Sequence, residues 1–440
     1  MAEADLATLF EGVELFPEHG RVCELRSGEI VADGPLLPVG AHCLIGEGST
    51  IAGGLRAQVI AVTQDRISLL PFGQVGNIKI GDKVLGCPDR NGVAVGEAFA
   101  GRAVDGLGRT IDEDGPVESR DLAESAALPV LDRITPSQPF LTAIRAIDGL
   151  LTIGRGQRIG IFAASGVGKT SLMEHILRQS DYDRAVVCLV GERGREVEAL
   201  WREICESPRR NRTTLVAATA EESAPMRRRA PEQALALCEY WRGRGEHVLL
   251  IVDSVTRLAM ALREIGLVAG EPPTARSYTP NVYRELPALV ERCGAARRGG
   301  SITAIFTILS ETDEVDDPIV ELMKSLLDGH IVLSRRLAQA SHYPAIDIGA
   351  SLSRLFDRLT DEQHGRAAAR ARAALAEYEE ARILIESGMY KSGSNREIDH
   401  AIALRGRLRQ FLRQAPDETA NWNDLRATLI AVVDEGGVRA

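Results

Sequence analysis

Three textures of apolar spacing follow one another along the chain. Over residues 1–18, Leu6, Leu9, Phe10, Val13 and Phe16 fall at helical spacing, one apolar stripe on an otherwise acidic segment. This predicts an amphipathic helix, docked on its own chain or offered to a partner. From 19 to 91 the runs shorten, as in AQVIAVTQDRISLLPF, and Gly and Pro break them at close intervals. That pattern predicts short antiparallel strands closing into a small β-barrel. From 92 to 355, β-branched runs (RIGIFAA, RAVVCLVGE, TTLVAATA, HVLLIVDS, SITAIFTIL) alternate with longer helical stretches, the mark of a mostly parallel sheet covered by helices. From 356 to 440 the strands stop. ARARAALAEYEEARILIESGMY and REIDHAIALRGRLRQFLRQ are helical in period and rich in Ala, Glu, Arg and Leu, which predicts a helical C-terminal domain.

Composition narrows this picture by exclusion. A chain of 440 residues is long enough for two or three domains. None of its apolar runs approaches the roughly 18 to 20 residues of a membrane helix. Residues 1–20 hold five acidic side chains and no Lys or Arg, unlike the basic start of a secretory signal, so a cytoplasmic location is expected. The seven cysteines are scattered without a CxxC pair, and no HExxH occurs among the eight histidines. Reduced, mostly buried thiols and no protein-held metal cluster are expected. A net charge of −10 with 4% aromatic residues disfavours a general nucleic-acid surface. The basic stretches SPRRNRT and PMRRRAPEQ read as solvated helix faces.

Candidate chemistry begins at RIGIFAASGVGKTSLMEHIL, which runs from a β-branched strand through a small-residue loop into a helix. A phosphate loop needs that setting, because successive backbone N–H groups and a helix N-terminus then face the anion. Ala164, Ser165, Gly166, Val167, Gly168, Lys169, Thr170 and Ser171 form the expected cradle. Lys169 is placed to reach the β and γ phosphates, and Thr170 to hold Mg²⁺. Ala163 replaces the usual opening glycine, a change tolerated where φ is negative. Asp253 ends the apolar strand of HVLLIVDSVTRLA and is a candidate for the Mg²⁺ shell through water. Glu192 ends the strand of VVCLVGERGREV and suits a carboxylate that orients water, with Arg193 beside it for the γ-phosphate. Alone, Asp253 also reads as a helix cap and ERGRE as a solvated charge run.

Taken in order, RIGIFAASGVGKTSL, VGERGREV, LLIVDSVTRLAMALREIGLVAGEPP, DGHIVLSRRLA and HYPAIDIGASLSR resemble the rotary-type ATPases. GERGREV, SVTRLAMALREIGLVAGEPPTARSYTPNVYRELPALVERCG and DGLGRTIDEDGP resemble the flagellar and injectisome export ATPases most. The resemblance runs from about residue 20 to about 410 and implies a RecA-like P-loop core. It places Lys169 and Thr170 on the phosphate and magnesium positions, Glu192 on the catalytic carboxylate, Asp253 on the magnesium-linked aspartate and Arg193 on the phosphate-contacting arginine. Tyr343 matches the aromatic that stacks on adenine, and Arg354 the arginine finger that enters a neighbour's site. The implied cofactors are ATP and Mg²⁺, and the implied assembly is a homohexamer. A regulatory stalk protein at the N-terminal helix is expected by the same resemblance. So are chaperones, export substrates and an export gate at the C-terminal domain, with peripheral association at the inner-membrane export apparatus.

Departures from the family pattern occur in ILSETDEVDD, where Ser310 and Thr312 flank the retained Glu311, and at Gly349 in DIGASLSR. Two other functions compete. An RNA-dependent termination helicase needs a basic or aromatic N-terminal surface, and a rotary synthase subunit needs an alternating partner chain. No NKxD sequence supports a GTPase. Between the two export machines, SGMYKSGSNREIDHAI and FLRQ favour the flagellar one.

Overall fold

Six strands close on themselves at the amino-terminal end of the computed structural model, which describes residues 19–26, 28–46, 54–87, 92–119, 121–123, 128–310 and 317–434. The helix expected over 1–18, and Glu311 and Thr312, lie outside the described residues. The strands are β1 (His19–Arg26), β2 (Glu29–Ala32), β3 (His42–Gly46), β4 (Leu55–Val62), β5 (Ile67–Pro71) and β6 (Lys83–Gly86), ordered β1-β2-β5-β4-β3-β6 in a closed antiparallel barrel. Alternate residues such as Cys43 and Ile45, or Ala57 and Val59, fill its interior, as a period of two requires.

The central sheet contains β7 (Ala103–Val104), β8 (Arg158–Ala163), β9 (Arg184–Glu192), β10 (Thr213–Thr219), β11 (His247–Asp253), β12 (Ser301–Leu309), β13 (Gly329–Leu333) and β14 (Ile346–Ser353). Their spatial order is β14-β13-β8-β12-β11-β9-β10-β7, and two short strands, Arg133–Ile134 and Gly294–Ala296, branch from β12. All pairings along the main path are parallel except β13 with β14. The edge strand β14 thus returns from the carboxyl ends of the parallel strands toward their amino ends.

The long apolar runs are explained by burial on both faces. Ala185, Val187 and Leu189 of β9 share a core with Ile147 and Leu150 of α1 (Arg145–Leu150) and pack toward α2 (Lys169–Gln179) and α3 (Gly194–Glu206). Val186, Cys188 and Val190 pack on the other face, beneath α4 (Ala224–Gly243) and α5 (Val255–Val268). The former core extends without a break into the C-terminal helices α6 (Glu362–Glu386), α7 (Arg396–Leu412) and α8 (Trp422–Asp434) through Ala367, Ala371, Leu404, Leu408, Leu425 and Leu429.

Two expectations about side chains can be compared with this fold. All seven cysteines are free, four of them buried. PMRRRAPEQ is not a solvated face, whereas Arg212 of SPRRNRT is exposed. Arg227, Arg228 and Arg229 are half-buried and paired with Glu264, with Glu232 and Glu285, and with Glu232. Arg210 pairs with Asp114 at 2.5 Å. Arg210, Arg227 and Arg228 are thus answered by carboxylates distant in sequence, and Arg229 by one three residues on. Among the described residues no helix is long and apolar enough to cross a membrane.

Candidate functional site

β8 ends at Ala163, which is 1% exposed and still in register with Leu309 and Leu333. The position that opens the loop is therefore a strand residue, where a methyl group fits and glycine would only loosen the chain. Residues 164–168 then turn into α2. Gly168 has φ 96°, which an L side chain rarely adopts, and a Cβ there would lie 3.5 Å from Tyr343 Cε1. Backbone conformation and the tyrosine ring both favour glycine at this point. The space above Gly166 is open to at least 4 Å. No side chain caps the start of α2, so its first N–H groups are left for an anion. Thr170 and Ser171 are exposed on that first turn, whereas Val167 is buried in the core.

Parallel strands bring the acidic residues to the same edge. β12 lies between β8 and β11, and β9 lies beyond β11, so Ala163, Asp253 and Glu192 all end strands at one carboxyl edge. Lys169 spans the gap. Its Nζ forms a direct ion pair with Asp253 Oδ1 and lies 3.8 Å from Glu192 Oε1. Thr307 of β12 donates to the same Asp253 oxygen at 2.5 Å. The Asp253–Ser254 peptide is cis.

Glu192 owes its placement to an irregularity in β9. The register against β10 shifts between Val190 and Glu192, a bulge that re-aims the side chain after it. Gly191 sits there with φ 69°, and a Cβ would meet Arg257 Cδ at 3.0 Å. The bare glycine thus lets Arg257 pass over the strand. From the first turn of α5, whose cap Ser254 accepts from the Arg257 N–H at 3.4 Å, the guanidinium reaches 3.1 Å from Glu192 Oε2 and donates to the Gly191 carbonyl.

Glu192 and Asp253 are 4% and 3% exposed. Burial and the Asp253 charge raise the Glu192 carboxyl to about 7, against the opposing pull of Lys169 and Arg257. Its Oε1 is buried with no hydrogen-bond partner, an acceptor free to take a bond from water. Such an acceptor beside two cations and an anion cradle fits the hydrolysis of a phosphoanhydride with a divalent ion.

Of the residues singled out by sequence, Lys169, Glu192 and Asp253 meet directly, and Tyr343 lies against the loop with 47% of its surface exposed. Arg193 is exposed at the start of α3. Arg354 stands elsewhere. It follows β14 and bonds to the carbonyls of Lys324 and Asp328, at the edge opposite the phosphate loop. β14 bulges between Asp347 and Leu352, so its ends, Ile346 beside Leu333 and Ser353 beside Gly329, are separated by only four intervals of β13, about 13 Å. Sequence reasoning missed Arg257 and Thr307. The signal for Arg257 is its spacing four residues after Asp253 in DSVTR, and for Thr307 a hydroxyl inside the apolar run SITAIFTIL.

Comparison with known proteins gives this geometry a family. Residues 143–353 match the ATP synthase alpha/beta family, nucleotide-binding domain, and residues 360–431 match the T3SS EscN ATPase C-terminal domain. The flagellum-specific ATP synthase of Pseudomonas aeruginosa is 41% identical over 422 residues, covering 95% of this chain and 94% of that protein. The chain belongs to the family of flagellar and type 3 secretion ATPases. The type 3 secretion system ATPase of Xanthomonas euvesicatoria is 39% identical over 438 residues, 98% of this chain and 97% of the relative. Among solved structures, the assembled ATPase EscN from the type III secretion system of enteropathogenic E. coli superposes with a TM-score of 0.87 at 38% identity, covering 94% of this chain and all of that one. EscN in complex with its central stalk EscO gives 0.86 at 37%, with the same coverage. As a member of this export ATPase family, the protein hydrolyses ATP. Flagellar and secretion-system relatives match it about equally.

Proposed function

We propose that the phosphate loop binds ATP with Mg²⁺ and that hydrolysis at this site serves flagellar type III protein export, releasing substrates from chaperones and delivering them to the export gate. The observation that carries the chemistry of this reading is the meeting of Lys169, Glu192 and Asp253 at one strand edge beside the loop. Residues 164–171 cradle the phosphates, and Lys169 neutralises the β and γ oxygens. Thr170 would hold the magnesium ion directly and Asp253 through water, and the ion supplies further charge neutralisation on the transferred group. Glu192 orients the attacking water, Arg257 holds Glu192 in place, and Arg193 faces the γ-phosphate. Tyr343 stacks on the adenine.

Arg354 completes the site of a neighbouring copy. Its position at the far edge of its own sheet supports this, and a ring of six identical subunits satisfies it. EscN is described as assembled and in complex with a central stalk. In the present protein the segment 1–18 meets the regulatory stalk. The C-terminal domain, which we set at 356–440 after a core at 92–355 and a barrel at 19–91, meets chaperones, substrates and the gate. That gathers the cytoplasmic ring at the inner-membrane export apparatus. The flagellar assignment follows residues 387–402 and 411–414.

The test of the chemistry is Glu192→Gln, expected to abolish turnover while nucleotide binding persists; normal turnover overturns the assignment. Deletion of the gene tests the machine. Lost swimming with filament subunits held in the cytosol supports flagellar export, and intact motility with lost effector secretion refutes it.

A further inference from the structure

Tyr343 sits in the connection between the short helix Arg335–Gln339 and β14, and that connection is gripped from the C-terminal helices. Arg413 Nη2 donates to the Ser341 carbonyl at 2.7 Å and to Ala340 at 3.4 Å, around a turn in which Ser341 has φ 51°. The Gln414 N–H donates to the Tyr343 carbonyl at 2.9 Å. These two residues follow α7 directly.

Gln414 is itself fixed, being 7% exposed. Its Oε1 accepts from the Arg145 N–H at 2.8 Å, and its Nε2 donates to the Ala143 and Glu418 carbonyls, both at 2.7 Å. One acceptor facing an N–H and two donors facing carbonyls leave one orientation for the amide. Ala143 is tied to buried Asp148 at 2.9 Å, and its main chain also bonds His175 of α2. Gln414 thus stands where three parts meet: its main-chain N–H holds the base-side tyrosine's carbonyl, and its amide holds the segment bonded to the phosphate-loop helix and the turn after the C-terminal helix α7.

We propose that Gln414 is a positioning residue through which the C-terminal helical domain sets Tyr343 and so the affinity for the adenine. This rests on the reading of Tyr343 as the base platform. A shift of the helices relative to the core moves residues 413–414, and these carry the tyrosine while the phosphate loop stays seated on β8. Load on the helical domain is then felt in ATP affinity ahead of any change in the chemical step.

The test uses the full chain with Gln414→Ala, Gln414→Glu and Tyr343→Ala. Gln414→Ala is expected to raise KM for ATP about fivefold to tenfold with kcat held within about twofold. Inhibition by inorganic tripolyphosphate, which has no base, stays unchanged. Gln414→Glu gives the same pattern, since a carboxylate cannot donate to Ala143 and Glu418. Added to Tyr343→Ala, Gln414→Ala has no further effect on KM. Arg413→Ala, which frees only Ala340 and Ser341 among the bonds to the tyrosine's connection, repeats the pattern more weakly and decides the matter if Gln414→Ala does not fold.

The proposal is overturned if Tyr343→Ala raises KM and the Gln414 variants do not. It is also overturned if tripolyphosphate weakens in parallel, or if the two effects add. An unchanged KM in Tyr343→Ala itself refutes the base-platform reading, a different failure that removes this proposal with it.

Discussion

Arg257 holds Glu192 from the side opposite Lys169: its guanidinium lies 3.1 Å from Glu192 Oε2, and Lys169 Nζ lies 3.8 Å from Oε1. A buried carboxylate between two cations from different elements cannot swing without losing one of them. With Arg257 replaced by Ala, kcat is expected to fall about 10²-fold, the cost of removing one group that organises the transition state. Binding of a fluorescent ATP analogue should change little. Arg257→Lys does not rescue, because a point charge cannot serve the carboxylate and the Gly191 carbonyl together. Steady-state kinetics with an equilibrium titration checks both.

The same pair sets a pH dependence. Glu192 rises from its ordinary 4.5 to about 7 through burial and the Asp253 charge, with Lys169 and Arg257 pulling the other way. If ionised Glu192 orients water, kcat/KM of the free enzyme increases with pH through a midpoint near 7. Arg257→Ala moves that midpoint upward, since it removes an influence that favours the anion. The folding contribution has the opposite slope. The folded state holds the proton more tightly, so stability from this group is full below about 4.5 and declines as pH rises toward 7. Glu192→Gln flattens the stability curve, which thermal melts across pH 5 to 8 would reveal, and pH-rate profiles of the wild type and Arg257→Ala read the catalytic midpoint.

Exchanging residues at the two ends of the phosphate loop should have unequal effects. Ala163→Gly restores a common spelling but places glycine in a buried, paired strand, so a loss of about 0.5 to 1 kcal/mol is expected with activity retained. Gly168→Ala forces a side chain into φ 96° beside Tyr343, at about 1 to 2 kcal/mol, and ATP affinity falls with it. Denaturant melts and KM values separate the two.

For Arg354, the expectation is complementation. Arg354→Ala alone lowers turnover about 10³-fold or more, and activity per wild-type subunit rises with protein concentration. Equal mixing of Arg354→Ala with Glu192→Gln subunits regains activity, because roughly a quarter of randomly formed head-to-tail interfaces pair an intact carboxylate with an intact finger. A mixture no more active than its parts excludes action between subunits.

The barrel, the covered sheet and the C-terminal helices were legible because each has its own apolar period, and Lys169, Asp253 and Glu192 because each follows a β-branched run. Arg257 was hidden in a run that reads as an ordinary amphipathic helix; only the fold shows that its first turn faces Glu192. The arginines at 227 and 228 read as solvated because Glu264 and Glu285 lie over 30 residues away in sequence and meet them only after α5 and the helix Pro280–Glu291 pack against α4. Gln414 carries no local signal at all. Its amide meets the Arg145 N–H and the Ala143 and Glu418 carbonyls while its main-chain N–H meets Tyr343, and an amide earns notice only when such groups surround it.

β14 begins just past Tyr343 and ends just before Arg354, so one strand separates what a subunit accepts from what it offers. If Arg354 serves a neighbour as proposed, every copy has a head and a tail, and copies must follow one another in a single direction. An open arc then leaves one pocket without a finger and one finger without a pocket. Only closure removes that mismatch, so the last subunit to join completes two interfaces where every earlier one completes one. On that proposal assembly acts as its own switch, the last pocket gaining its finger only when the circle is whole.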